Sequence, residues 1–178
     1  MINVEATNKM SKTVRLILGD QLNINHSWFQ TIDESITYVL MEIRSETDYA
    51  THHIQKIVGF FSAMRNFASE LQSKNHQVIY FQLNDENNLQ AFDKNVLQLI
   101  DKEGFTHFEY QLPDEYRLDE LLKKFCKTLS ISSSYVDSEH FMSSRSELGD
   151  FFEGKKTFLM ESFYHMMRKK HNVLMQGD

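Results

Sequence analysis

Five short β-rich runs alternate with helical runs along the chain. Val14 to Leu18 is apolar apart from Arg15 and is followed by Gly19, the pattern of a strand buried on both faces. Thr37 to Ile43, Gln77 to Leu83 and Thr106 to Leu112 predict three more strands, and the serine-rich Ile131 to Val136 predicts a fifth suited to a sheet edge. Between the second and third, Ile54, Ile57, Val58, Phe61, Met64, Ala68 and Leu71 recur at the spacing that places them on one helix face. Asp48 or Thr51 stands where a cap for that helix is needed. Further helices are predicted over Leu89 to Lys102 and Leu118 to Leu129, then over Phe141 to Phe152 and Thr157 to Met175, with no strand after them.

Helices long enough to cross over between strands imply parallel pairing, hence an α/β fold with helices on both faces of the sheet. The expected architecture is a five-stranded parallel sheet in the order 3-2-1-4-5, with the first strand central and the switch point beside it. Residues 1–12 read as a flexible tail, 13–140 as the α/β domain and 141–178 as helices leading onward from it.

Composition narrows the class. A hydrophobic content of 41% with a mean hydropathy of -0.46 is that of a globular protein, and no apolar run approaches the roughly 18 residues that span a bilayer. The opening stretch has neither a basic start nor an apolar core, so it is not a signal peptide, and a cytoplasmic location is expected. The single cysteine, Cys126, excludes an internal disulfide, a cysteine-rich metal cage and an iron-sulfur cluster. A net charge of -6 and a pI near 5.7 argue against strong nucleic-acid binding by this segment.

In open parallel sheets ligands sit beyond the carboxyl ends of the strands at the switch point. That places Gly19, Asp20 and Gln21, then Glu42 to Glu46, then Asn84 and Asp85 at one acidic, amide-rich edge. With no Gly-x-Gly-x-x-Gly and no P-loop, the backbone cradle for a pyrophosphate is missing. A phosphate-free polar ring system with hydroxyls suits this edge better, though Asp20 and Glu42 equally read as solvated strand ends. On the helix after the second strand, Tyr49, His53, Lys56 and Phe60 form a stripe about 100° round from the core face. Tyr49 and Phe60 are positioned to pack on a flat ring, with Phe60 bulky enough to narrow the pocket, while Asp20, Glu46 and His53 meet its polar edge. The adjacent His52 and His53 lack the i, i+4 spacing that clamps a metal, and no nucleophile-base arrangement is legible, so neither a metal nor a catalytic residue is assigned.

Several ordered segments carry a resemblance. Leu16-Ile17-Leu18-Gly19-Asp20-Gln21-Leu22, Tyr49-Ala50-Thr51-His52-His53 leading to Lys56 and Ser62-Ala63-Met64-Arg65, Phe141-Met142-Ser143-Ser144, and Met160 to Lys170 resemble the deoxyribodipyrimidine photolyase-related proteins, the prokaryotic iron-sulfur branch of the photolyase and cryptochrome superfamily. The resemblance runs from Val14 to Asp178. It implies a Rossmann-like N-terminal domain holding an antenna chromophore, a ribityllumazine in this branch. It also implies a larger C-terminal helical domain, absent from this sequence, that carries FAD and a 4Fe-4S cluster and repairs (6-4) lesions in damaged DNA. By itself the chain is expected to lack catalysis, to partner that helical domain, and to expose its last helix for interdomain contact or self-association.

Two other classes remain open. A flavodoxin-like signalling switch would use Asp85 as a phosphoryl acceptor, but Ser130 to Asp137 offers no lysine to pair with it. A protein-interaction domain would make equal use of the Met-rich terminal helices.

Overall fold

The computed structural model describes residues 11–175. The expected tail falls almost wholly outside the described residues, while its last two, Ser11 and Lys12, hydrogen-bond to Thr106. Up to Val136 the chain forms one compact unit, and Asp137 onward forms a second.

In the first unit, β1 (Thr13–Leu16), β2 (Ile36–Met41), β3 (Gln77–Phe81), β4 (His107–Gln111) and β5 (Ser132–Val136) form one sheet in the order β3-β2-β1-β4-β5. Every pairing is parallel, with Leu16 opposite Val39 on one side and Tyr110 on the other. The expected order and the central place of the first strand are both found. Side-chain alternation then splits the core into two layers. Val14, Leu16, Val39, Met41 and Phe108 face one cluster, completed by α3 (Phe92–Glu103) and α4 (Tyr116–Cys126). Ile17, Tyr38 and Leu40 face the other, covered by α2 (Ile54–Ser73) through Phe61, Met64, Phe67, Ala68 and Leu71.

Helices therefore cover one face on the outward walk from β1 to β3 and the opposite face on the return to β4 and β5. That change of face creates the crevice at the strand ends. Gly104 ends α3 with φ 71°, a left-handed turn that glycine adopts without the Cβ penalty.

The connections depart from expectation in places. The link from β1 to β2 carries only a 3-10 turn, Ser27–Phe29, which His26 caps and which sinks Trp28 and Phe29 into the second cluster. After β2 comes a short helix, α1 (Arg44–Thr47), which buries none of its residues. The long helix starts only at Ile54, and its cap is His53, whose Nδ1 accepts from the Gln55 backbone N–H at 3.2 Å, rather than Asp48 or Thr51. The second unit contains α5 (Glu147–Phe152) and α6 (Met160–His171), both shorter than the apolar pattern predicted. Rings of Phe151, Phe152, Phe158 and Phe163 pack edge to face there, and Lys170 pairs with Glu147. Residue by residue, α6 buries nothing, and Met160 and Tyr164 stay more than half exposed.

Candidate functional site

Beyond the carboxyl ends of β1 and β2 lies a cavity of about 230 Å³. Its floor is Leu16, Ile17 and Leu18 with Met41 and Ile43, one wall is Ile57, Phe61 and Met64 of α2, and the opposite wall is Phe92 and Leu118. This interior is apolar. The rim is polar and aromatic, made by Gly19 and Asp20 after β1, by Glu46, Tyr49, His52, Lys56 and Phe60, and by Glu115 at the start of α4.

Gly19 and Phe60 meet closely at this rim. A Cβ on Gly19 would stand 2.5 Å from Phe60 Cζ and 3.0 Å from Met64 Sδ, so glycine is what lets the ring lie across the end of β1. Phe60 narrows the mouth and remains 40% exposed. Tyr49 stands beside the mouth, packed edge-on against His52 with centroids 5.3 Å apart, and His52 Nδ1 lies 3.3 Å from Lys56 Nζ.

The nine residues singled out from sequence divide into three groups. Gly19, Asp20, Glu46, Tyr49, Lys56 and Phe60 come together around the cavity. His53 does not, because its imidazole is spent on the α2 cap. Its neighbour His52 takes the place at the rim. Because α2 begins at Ile54, Tyr49 and His53 precede the helix, and the four-residue stripe expected there does not form.

Gln21 and Glu42 are the third group, and both lie behind the cavity as framework. Gln21 is fully buried; its Oε1 accepts from the Leu18 N–H at 3.0 Å and its Nε2 donates to the Gln111 carbonyl at 3.1 Å, tying the end of β1 to β4. Glu42 is also fully buried. Arg65 donates to its two oxygens at 2.6 and 2.9 Å, Tyr80 through its hydroxyl at 2.7 Å and Leu83 through its backbone N–H at 2.9 Å. Burial pushes the Glu42 carboxyl up, but these donors together overcome it and hold the group below the usual carboxylate range.

A family model for deoxyribodipyrimidine photo-lyase-related proteins matches residues 15–178. The chain belongs to this family. Over 170 residues, 95% of its length, it is 35% identical to a (6-4) photolyase of Agrobacterium fabrum. It spans 33% of that relative, so the match covers about a third of the bacterial photolyase. An uncharacterised protein of Acanthamoeba polyphaga mimivirus is 24% identical over 177 residues, which is 94% of this chain and 87% of the viral protein.

As a photolyase-related protein, the chain carries its cavity at the strand ends that α/β sheets use for ligands. One rim-organising residue was not singled out from sequence. Arg117, in the first turn of α4, donates to Glu115 at 2.7 Å and to Glu46 at 3.2 Å, and its guanidinium carbon lies 4.8 Å from the centroid of the Tyr49 ring. Glu115 first, and then Glu46, raise its already high pKa further. Residue type alone gives no signal for this role, since its partner Glu46 lies 71 positions away. Among the described residues no group of three or more His, Cys, Asp or Glu could hold a metal ion, and no helix is long and apolar enough to cross a membrane. Cys126 is part-buried, its thiol pushed up chiefly by burial.

Proposed function

We propose that this chain is the light-harvesting domain of a photolyase-like flavoprotein, and that the cavity beyond β1 and β2 takes a ribityllumazine-type pigment. The observation that carries this reading is the division of the cavity into an apolar interior and a polar, ring-bearing rim at the carboxyl ends of the central strands. A flat heterocycle suits the interior, with Tyr49 and Phe60 beside it. Asp20, Glu46, His52 and Lys56 supply acceptors and donors for its polar edge and for the ribityl hydroxyls, while Gly19 leaves room for the Phe60 ring. The volume of about 230 Å³ is slightly below the roughly 300–1,000 Å³ common for ligand pockets, which favours a buried ring with its polyhydroxyl chain along the rim. The protein's contribution is to bind and orient the pigment and to exclude water from it; the pigment supplies near-ultraviolet absorption.

The residues do not fit a 4Fe-4S cluster, since Cys126 is the single cysteine and such clusters take four thiolates. We assign FAD and the cluster to a C-terminal helical domain, which would also engage damaged DNA. The exposed apolar residues of α6 are the surface we assign to contact with that domain, or to self-association when it is absent. We assign this role to the cytoplasm.

Expression of the chain in cells that overproduce a ribityllumazine tests the reading. The purified protein should carry a stoichiometric near-ultraviolet absorber that is released on unfolding. A colourless protein, after the same pigment has also been added directly in excess, would reject it.

A further inference from the structure

The rim of the cavity is joined by a residue that does not line it. Arg117 connects Glu115 with Glu46 and Tyr49, and the series continues from Tyr49 through His52 to Lys56. Glu46, Tyr49 and His52 all lie on the strap between Arg44 and His53. This strap has little apolar anchorage: α1 buries none of its residues, and Tyr49 is 57% exposed. At its beginning Gln90 accepts from the Arg44 N–H at 3.2 Å, and further along Arg117 makes the hold. A cation in the first turn of a helix opposes the helix dipole, so local preference does not account for Arg117 at this place in α4. Its two carboxylates and the Tyr49 ring do.

We propose that Arg117 is a positioning residue for the cavity, a clasp that holds the Arg44–His53 strap across the mouth and so sets how fast a ring-bearing, polyhydroxylated ligand exchanges. This rests on the cavity being the ligand site proposed above. When the guanidinium releases Glu46 and Tyr49, the mouth opens for entry and exit alike. A residue that only touched the bound ligand would act mainly on exit.

Stopped-flow mixing of the full chain with a ribityllumazine separates the two. Arg117→Ala should raise the association and dissociation rate constants together, by about threefold to tenfold, the scale of an exposed ion pair combined with a cation-π contact. The Kd should shift by less than either rate. Arg117→Lys should fall between, since it keeps the charge but loses the planar fork. A faster dissociation with unchanged association, or no change in either, would overturn the clasp. Amide hydrogen exchange over residues 44–53 in the unliganded chain gives a second readout that needs no pigment. Arg117→Ala should accelerate it by a similar factor, and unchanged exchange would overturn the clasp even if the pigment binds. Accelerated exchange together with no pigment uptake by the wild type would keep the clasp and reject the pigment reading instead.

Discussion

Two glutamate-arginine pairs stand four residues apart at the exit of β2, and they do different work. Glu42 is wholly buried and receives four donors, two from Arg65, one from Tyr80 and one from the Leu83 backbone. Glu46 keeps 27% of its side chain exposed at the cavity rim and meets Arg117 at 3.2 Å. The first carboxylate has its acceptor capacity filled by the protein, whereas the second retains capacity for a ligand. Residue type and position along the edge are shared, so burial and the number of internal donors separate frame from site.

The comparison breaks most readily at Glu42. Glu42→Ala should cost on the order of 3–5 kcal/mol, because it leaves the Tyr80 hydroxyl and the Leu83 N–H without their acceptor in a buried place. Glu46→Ala should stay within about 1 kcal/mol, as exposed pairs do. Urea denaturation of both variants checks this, and equal losses would erase the distinction.

The same buried carboxylate shapes the response to acid. Glu42 and Glu109 both lie below their ordinary value of 4.5, with burial opposed and overcome by their hydrogen-bonding partners. Their contribution is complete above that pH and is lost as pH falls toward the folded-state values. His76, pushed below its ordinary 6.5 chiefly by burial, contributes fully above 6.5 and loses its share as pH drops under it. Stability measured against pH should therefore decline gently below 6.5 and more steeply below 4.5. Glu42→Gln should flatten the second limb only in part, since Glu109 remains.

A smaller effect is expected where frame and site touch. Gly19→Ala pushes a methyl group into the Phe60 ring and should cost about 1–3 kcal/mol as overpacking. Combining it with Phe60→Ala should recover part of that loss, a coupling above about 0.5 kcal/mol in a double-mutant cycle. Additive losses would mean that Phe60 swings aside freely. Smallest of all, Arg117→Ala should change stability by less than about 1 kcal/mol while it alters ligand exchange, and a larger loss would place Arg117 with the frame beside Arg65.

The strand order was legible because the apolar runs and the long period of α2 are local signals, and the central run Val14 to Leu18 carries a two-sided burial pattern. The division of the edge into frame and site was not. Its deciding donors and acceptors lie far away in sequence: Arg65 is 23 positions from Glu42, and Gln111 is 90 from Gln21. Exchange of His52 for His53 at the rim turns on where α2 begins, a boundary that hydrophobic spacing does not locate. Because the cap consumes His53, the neighbouring ring is left to the cavity. Arg117 escaped notice because a helix-start cation has no meaning until the strap it faces is in place.

The most direct test of the central claim is a titration of a ribityllumazine against three proteins, the wild type, the Asp20→Ala/Glu46→Ala double variant, and Lys102→Gln, an exposed position in the last turn of α3 that does not line the cavity. The account predicts saturable binding by the wild type and by Lys102→Gln, and a loss of about tenfold or more in the double variant, as two polar contacts to the ligand would give. Equal affinity in all three proteins, or binding by none, would contradict it.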